Sequence, residues 1–240
     1  MIKSLNLKDI MFVDIETVPQ NESYKDVPPV IRDLWDKKAF YLAKNEETPE
    51  EIYSRAGIYA EFGRVICISV GVFNDRKEGK TFLVKSFYGD DEVDVLTRFT
   101  KSVEKFLAKR KGFVCAHNGK EFDFPFLSRR MIINGLPLPE ILDVAGRKPW
   151  EVPFLDTMEL WKFGDYKHYT SLHLLTTILN IPTPKDDIDG SMVADTYYKQ
   201  KDLLRIVRYC EKDVVAVAQI LQRFRGDDIL VVEDVDFVDA

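Results

Sequence analysis

The stretch Met11-Phe12-Val13-Asp14-Ile15-Glu16-Thr17 begins as an apolar run and ends with two carboxylates two residues apart. Such a run predicts a buried strand over residues 10–15, and side chains two apart on a strand point to the same face. Burying either carboxylate there costs free energy unless a positive charge compensates, and hard cations such as Mg²⁺ take oxygen ligands. The pair Asp14 and Glu16 therefore indicates a metal site at a strand end, although a solvent-facing acidic strand end carries the same pattern.

Length and composition favour one large globular domain. The 240 residues are 45% hydrophobic, which is enough to build a sizeable core. No stretch reaches the roughly 18 apolar residues of a membrane span, and the charged N-terminus has no signal-peptide core, so a cytoplasmic protein is expected. The three cysteines, Cys67, Cys115 and Cys210, lie far apart in apolar runs and are predicted to be buried in a reducing compartment.

The net charge of −6 is concentrated at the C-terminus. Residues 227–240 contain six acidic residues and no basic one, which leaves 34 acidic against 34 basic residues in the rest of the chain. We expect this tail to be solvated and poorly ordered, with docking to a partner or mimicry of nucleic acid as the less favoured role. A neutral body lacks the basic footprint of many nucleic-acid binders, but bound metal ions would offset several carboxylates.

The hydrophobic pattern predicts a mixed sheet covered by helices. Strands are expected at residues 10–15, 64–73, 81–88, 113–117 and 154–156, and the second and third form a hairpin about residues 74–80. Helices are expected at residues 91–110, 122–134, 171–179, 191–198 and 202–223. An antiparallel meander followed by alternating helices and strands indicates an α/β fold with a five-stranded sheet, in a single domain over residues 1–226.

Residues 20–62 interrupt this pattern with mostly helical material. Val30, Leu34 and the pair Phe40-Tyr41 follow helical spacing. The segment Thr48-Pro49-Glu50-Glu51 has the signature of a second helix, with Thr48 as N-cap and Glu51 closing a capping box, and this helix is expected to run to about residue 56.

Three further residues could join the acidic pair. Asp123 follows the turn His117-Asn118-Gly119 near a helix start, where it could also be an ordinary N-terminal helix charge. Tyr209 and Asp213 are four residues apart on the last helix and share one face. That face is largely apolar, so an inward Asp213 would need a partner or a metal. Taken singly, an aspartate at the rim of the face and a packed core tyrosine explain these two residues as well.

The order of these segments resembles the DnaQ-like 3′–5′ exonucleases of the DEDD class, which have a ribonuclease H-like fold. A strand with Asp-x-Glu comes first, a strand, turn and helix with Asn-x-x-x-Phe-Asp come next, and a helix with Tyr-x-x-x-Asp comes last. The tyrosine is typical of the DEDDy subgroup, and within it the chain is similar to stand-alone exonucleases related to the proofreading domain of family B DNA polymerases. The phrase Asp186-Asp187-Ile188-Asp189-Gly190-Ser191 is similar to that group as well, more loosely. The resemblance covers Met11 to about Arg223.

The resemblance implies a nuclease that uses two Mg²⁺ or Mn²⁺ ions and removes nucleoside 5′-monophosphates from single-stranded DNA 3′ ends. In such a site Asp14 would bridge both ions, Glu16 and Asp213 would complete the ion that activates water, and Asp123 would support the second ion. Tyr209 would orient the attacking water, because a phenol with a pKa near 10 is a poor base at neutral pH.

The resemblance also implies substrate contacts. Ile15 and Thr17 would touch the terminal nucleotide, and Asn118 and Phe122 the penultimate one, while Tyr209 would approach the scissile bond. Their alternatives are a turn residue for Asn118 and a core phenylalanine for Phe122. The three histidines, His117, His168 and His173, are not needed as metal ligands. Asp156 could support the site or could simply cap the helix that begins at Thr157-Met158-Glu159.

Two other functions are compatible with the same motifs. The chemistry could act on RNA, because discrimination depends on contacts to the 2′-hydroxyl that the motifs do not reveal. The chain could also be a catalytically silent nucleic-acid-binding protein of the same fold, although an idle cluster of four acids would be an electrostatic liability. We expect the helices of residues 20–62 to flank the cleft and to limit which strands enter it.

Overall fold

A six-stranded mixed sheet forms the centre of the molecule. The computed structural model describes residues 2–44, 46–74, 81–108, 110, 112–165, 169–182 and 188–238. The sheet has the order β5-β4-β1-β2-β3-β6. Its strands are β1 Ile10–Pro19, β2 Gly63–Phe73, β3 Phe82–Tyr88, β4 Phe113–Ala116, β5 Phe154–Asp156 and β6 Val235–Val238. The first three form an antiparallel meander, and β4 and β5 continue the sheet parallel to β1.

In the described ranges, seven α-helices surround this sheet. They are α1 Pro29–Leu42, α2 Glu92–Leu107, α3 Asp123–Ile133, α4 Thr157–Lys162, α5 Leu172–Ile178, α6 Val193–Tyr198 and α7 Leu203–Arg225. Because side chains alternate between the two faces of β1, they contribute to two hydrophobic clusters. Val13 packs with α2 and α3 on one face, and Phe12 packs with α7 on the other. The predicted α/β architecture, an antiparallel meander continued by parallel strands and flanked by helices, is confirmed. None of the helices in the described part of the chain is long and apolar enough to cross a bilayer.

The sixth strand corrects the sequence analysis. A sheet of five strands followed by a poorly ordered acidic tail was expected, but β6 pairs in parallel with β3, from Phe82 opposite Val235 onward. Leu230 and Val235 are buried, while Glu233 stays exposed. The tail thus combines core-facing apolar residues with solvent-facing acids, and it covers an edge that would otherwise present unpaired backbone groups. Residues 239–240 of the tail lie outside the described residues.

The insertion, residues 20–62, has its own small core. Trp35 and Ala39 of α1 are buried there, and the Trp35 Nε1 donates to the carbonyl of Pro49 at 2.9 Å. The face identified from spacing is instead exposed, with Phe40 79% and Tyr41 82% accessible. The predicted helix is present, but α1 carries two apolar stripes, and residue spacing alone does not determine which of them is buried.

The second helix predicted in the insertion is not an α-helix. The capping box at Thr48 forms, since its backbone N–H donates to Glu51 Oε2 at 2.7 Å and its hydroxyl does so at 2.8 Å. Turns and a 3₁₀ helix, Tyr53–Ile58, follow it. The chain has to bend here to lie against β1: a Cβ added at Gly57 would come within 3.1 Å of Val18 and Pro19.

A buried ion pair links α2 and α3 on the face of the sheet opposite α7. Arg130 of α3 donates from Nε and Nη2 to Glu92 of α2, at 2.9 and 2.6 Å. The Glu92 carboxylate also accepts from the Val65 N–H of β2 at 2.8 Å, and Arg130 Nη1 donates to the Ala60 carbonyl at 2.8 Å. One pair therefore joins two helices, a strand and the end of the insertion. The loop predicted at 74–80 lies, except for Asn74, outside the described residues.

Candidate active site

The acidic pair lies within β1 rather than at its end. Asp14 is opposite Ser69 and Glu16 is opposite Cys67 in the register with β2, so both carboxylates point to the α7 face of the sheet. The register shifts directly after Glu16, and such bulges re-aim side chains next to functional sites. On the other side, β4 pairs with β1 only from Ile10 to Phe12. From Asp14 onward, the backbone of β1 is therefore not paired with β4 on this edge, and other residues can approach it.

Asp123 enters at that open edge. It is the first residue of α3 and is only 4% exposed. Its carboxylate accepts hydrogen bonds from its own backbone N–H and from that of Ile15. Burial nevertheless dominates and raises the pKa of Asp123 to about 7, with Asp156 and Asp213 adding repulsion. The structure thus brings Asp123 beside the β1 pair.

Helix α7 brings the last two predicted residues to the same place. Tyr209 hydrogen-bonds to Asp213 one turn later. The helix can approach β2 closely because Gly71 has no side chain: a Cβ there would lie 2.6 Å from Val214 Cγ1 and 2.4 Å from the Phe82 ring. Burial and the charges of Asp213, Glu16 and Asp14 raise the pKa of Tyr209, so its phenol stays protonated.

The electrostatics of the gathered carboxylates favour a cation. Burial, followed by repulsion from Asp213, Glu16 and Asp123, raises the pKa of Asp14 well above its ordinary value. The pKa of Glu16 is raised in the same way, by burial and then by Asp213. Asp14 Oδ2 is buried and has no hydrogen-bond partner among the described residues. An orphaned carboxylate oxygen amid like charges fits a divalent ion, and the oxygen ligands suit Mg²⁺ or Mn²⁺.

Cys210 lies against this cluster without adding to its ligands. Asp14, Glu16 and Cys210 present ligand atoms that all lie within 4.8 Å of one another. The Cys210 Sγ donates to the backbone carbonyl of Asp14 at 3.4 Å. Burial raises the pKa of the Cys210 thiol well above its ordinary value, and the nearby carboxylates raise it further. A neutral thiol is a poor ligand for a hard cation, so Cys210 serves packing, in accord with its prediction as a buried cysteine.

A chain of hydroxyls extends from the cluster into the sheet. Ser69, opposite Asp14, hydrogen-bonds to the Ser86 hydroxyl at 2.8 Å, and Ser86 donates to Glu211 of α7 at 2.8 Å. These contacts fix α7 against β2 and β3 beside the carboxylates. The sequence analysis did not identify them, because the partners are 125 residues apart in the chain.

Asp156 fixes the turn that carries Asn118. Its carboxylate accepts from the backbone N–H groups of Asn118 at 2.9 Å and Lys120 at 3.1 Å, and it also caps α4 through Met158 at 2.9 Å. Asn118 has a left-handed φ of 62°, and its Oδ1 is buried without a partner among the described residues. The two roles left open for Asp156 thus both apply to one buried side chain.

An open cleft of about 590 Å³ starts at Glu16. Four predicted substrate residues line it: Ile15, Thr17, Asn118 and Phe122. Ile15 packs mainly in the core and is 4% exposed, and the Thr17 hydroxyl donates to the Gly57 carbonyl at 2.8 Å. Further lining residues come from the insertion, which was expected to flank the cleft, and from positions next to α5 and at the start of α6: Ser54, Arg55, Gly57, Ile58, Tyr169, Gly190, Ser191 and Ala194.

The other sequence candidates have structural roles or lie outside the described residues. The ring nitrogens of His117 bind the Thr157 hydroxyl at 2.9 Å and the Thr170 carbonyl at 2.8 Å. His173 is exposed on α5. His168 and the acids Asp186 and Asp187 lie outside the described residues, whereas Asp189 accepts from the Ser191 N–H at 2.8 Å.

Comparison with known proteins identifies a family that matches most of this chain. The family profile that matches residues 58–226 is described as a predicted 3′–5′ exonuclease related to the exonuclease domain of PolB. A DNA polymerase of Pyrococcus glycovorans is 23% identical over 224 residues, which cover 83% of this chain and 28% of that protein. The family B DNA polymerase from the hyperthermophilic archaeon Pyrobaculum calidifontis matches with a TM-score of 0.48 and 19% identity, over 90% of this chain and 24% of that one. The chain spans about a quarter of the length of these relatives.

Proposed function

We propose that this chain, which belongs to the family described as predicted 3′–5′ exonucleases related to the exonuclease domain of PolB, removes nucleoside 5′-monophosphates from single-stranded DNA 3′ ends. The observation that carries the proposal is the convergence of Asp14, Glu16, Asp123 and Asp213. Burial, followed by repulsion from the other three carboxylates, raises the pKa of Asp14. A cluster of buried carboxylates with an orphaned oxygen is costly for folding alone. A divalent cation and the phosphate that it would bind explain the arrangement.

The four acids form the metal site in this proposal. Asp14, Glu16, Asp123 and Asp213 would together hold two Mg²⁺ or Mn²⁺ ions through their carboxylate oxygens. Bound ions of this kind activate water and stabilise charge on the oxygen that leaves the phosphorus. Because Asp123 would be partly protonated near pH 7 without metal, ion binding has to displace a proton from it.

Tyr209 and the cleft would align the reacting groups. The protonated phenol of Tyr209, held by Asp213, can hydrogen-bond to the attacking water and hold it in line with the scissile bond. Water then adds to phosphorus, the bond to the 3′ oxygen breaks, and the products are a 5′-monophosphate and a strand with a new 3′-hydroxyl. Phe122 offers a ring on which a base can stack, worth about 1–3 kcal/mol without sequence preference. The Asn118 Oδ1 offers an acceptor for a sugar hydroxyl or base N–H.

Digestion of end-labelled oligonucleotides tests this proposal. With Mg²⁺ or Mn²⁺, a 3′-terminal label should be released as a mononucleotide before a 5′ label, and Asp14→Ala should abolish the release. Glu104→Ala, at an exposed position on α2, is the matched control and should retain activity. Equal rates for Asp14→Ala and the parent chain would reject the proposal.

DNA and RNA of the same sequence should be digested in parallel. We expect DNA to be the better substrate, in keeping with the DNA polymerases among the relatives. Faster release from RNA would assign the same chemistry to RNA. Tight binding with no cleavage at any metal concentration, measured under single-turnover conditions, would identify a silent binding protein of the same fold.

A further inference from the structure

The insertion forms one wall of the cleft. Ser54, Arg55, Gly57 and Ile58 line the cleft together with Asn118 and Phe122, which follow β4. Ile58 is 55% exposed although it is apolar. These residues belong to the segment that interrupts the sequence pattern, and they include none of the groups given a role in the proposed chemistry. Their position raises the question of what they contact when a strand occupies the cleft.

This wall is fixed in place rather than hinged. The Gly57 carbonyl accepts from the Thr17 hydroxyl at 2.8 Å, one residue after Glu16. A Cβ at Gly63 would come within 2.6 Å of the Gly57 oxygen, so the two chain segments are in close contact. Behind the wall, the fully buried Trp35 packs edge-on against Tyr53 at 5.7 Å. The wall therefore holds its side chains at set positions relative to the acidic cluster.

Arg55 has the chemistry of a phosphate ligand. Of the described residues that line the cleft, it is the only one with a cationic side chain. Its Nη1 donates to the Leu42 carbonyl at 3.1 Å, which orients the guanidinium, and no described acidic group forms an ion pair with it. An arginine that is positioned by a carbonyl but not neutralised by a carboxylate keeps its remaining N–H donors for an anion.

From these contacts we propose that Arg55 binds the phosphodiester one nucleotide to the 5′ side of the scissile phosphodiester, with Ile58 against the adjoining sugar. The inference rests on the proposed exonuclease function and names a substrate subsite for it. The wall and Phe122 line the same cleft of about 590 Å³, which is suited to a single strand. Arg55 would hold that strand by its backbone, independently of sequence.

Substitution of Arg55 tests this subsite. Arg55→Gln should raise the oligonucleotide concentration at half-maximal rate about tenfold and change kcat by less than about twofold. The slope of log affinity against log salt concentration should fall by about 0.7, the value for one phosphate contact to a single strand. Arg55→Lys, which keeps the charge, should recover part of the affinity. Arg32→Gln is the matched control, since Arg32 lies in the same insertion and donates to the Lys25 and Val27 carbonyls.

A minimal substrate separates this subsite from the reacting phosphate. The p-nitrophenyl ester of thymidine 5′-monophosphate has a scissile phosphodiester but no preceding nucleotide, so Arg55→Gln should hydrolyse it at the parent rate. An unchanged half-saturation on oligonucleotides, or an equal loss on the ester, would overturn the assignment of Arg55.

Binding without turnover keeps the two proposals distinguishable. Fluorescence anisotropy with a labelled single strand, in EDTA and in Ca²⁺, should show the same loss of affinity and of salt slope for Arg55→Gln. If the parent chain binds but cleaves nothing, the exonuclease proposal fails while Arg55 is still tested. If the parent cleaves and Arg55→Gln binds and cleaves like it, only the subsite is rejected.

Discussion

At the scale of single residues, Asp156 shows how one carboxylate supports the site without belonging to it. Its oxygens accept four backbone N–H groups, two in the turn at residues 118–120 and two at the start of α4. We expect Asp156→Ala to lower the free energy of unfolding by about 2 kcal/mol, because it removes the buried N-cap of α4 and leaves the N–H groups of Asn118 and Lys120 without an acceptor. Release of Asn118 from its left-handed conformation should also reduce the rate on oligonucleotides about tenfold.

A second capping aspartate provides the comparison. Asp91 caps α2 by accepting from Val93 at 2.9 Å and Asp94 at 3.2 Å, on the far side of the sheet. Asp91→Ala should cost about 1 kcal/mol in urea unfolding and leave the rate of oligonucleotide digestion unchanged. Equal effects of the two substitutions on the rate would show that Asp156 acts through stability alone.

Tyr209 is expected to contribute orientation rather than proton transfer. Its pKa is raised, so the phenol donates a hydrogen bond and does not serve as a base. Tyr209→Phe should therefore lower kcat by about tenfold to a hundredfold with little change in half-saturation, and the residual rate should keep the pH profile of the parent. Tyr198→Phe is the control, since the Tyr198 hydroxyl donates to the Pro19 carbonyl at 2.6 Å. A loss of the alkaline limb in Tyr209→Phe would instead assign the phenol a proton-transfer role.

The residues that could be predicted from the sequence are those whose type is unusual for their element. Asp14 and Glu16 within an apolar strand, and Asp213 on an apolar helix face, are costly enough to call for an explanation. Arg55 and Asp156 have no such signal, because an arginine in a polar segment and an aspartate before a helix are ordinary. Their roles arise from contacts across the fold, such as the hydrogen bond from Arg55 to Leu42.

At the scale of elements, the contacts between α2 and α3 depend on one buried ion pair. Glu92 and Arg130 are 9% and 4% exposed. Arg130→Met would leave the Glu92 carboxylate buried with only the Val65 and Asn134 N–H donors, and should lower the free energy of unfolding by about 3–5 kcal/mol. The urea midpoint should fall at an unchanged m-value.

The exposed ion pair on α2 is the control for this element. Arg98 binds Asp94 one turn away at 2.8 Å, with the two side chains 32% and 55% exposed. Arg98→Met should change stability by less than about 1 kcal/mol, because solvent screens the pair. A comparable loss for both substitutions would mean that charge, not burial, determines the effect.

Element boundaries in the centre of the sheet could be predicted from periodicity, but two elements could not. In α1, Trp35 and Ala39 form one stripe, and Val30, Leu34 and Tyr41 form another, and only the small core of the insertion decides which is buried. Strand β6 is short, carries Asp236 and follows two further acids, so the composition around it resembles that of a solvated end. It becomes a strand because the edge of β3 accepts it, which is a property of the sheet and not of residues 235–238.

At the scale of the whole molecule, the ionised carboxylates of the site lower the free energy of unfolding of the metal-free chain. Three carboxylates, Asp14, Glu16 and Asp123, have raised pKa values in the folded chain, so each favours its protonated form there. Their contribution to stability is complete below the unfolded pKa and is lost as pH rises through the folded pKa. For Asp123 this window runs from about 4 to about 7. His117, whose pKa is lowered by burial, acts in the opposite sense and loses its influence above about pH 6.5.

The melting temperature of the metal-free protein should therefore fall between about pH 6.5 and 7.5, where Asp123 still loses its proton in the folded chain. The loss is at most about 1.4 kcal/mol per pH unit for each carboxyl, and about 2–4 °C accompanies each kcal/mol in a domain of this size. Mg²⁺ or Mn²⁺ should restore stability, increasingly so at higher pH, because the ions bind the ionised carboxylates. Asp123→Asn removes one titrating group and should flatten the metal-free curve. Scanning calorimetry in EDTA and in Mg²⁺ measures both, and a metal-free melting temperature that rises over this range would contradict the assignment of these acids to one buried, repulsive cluster.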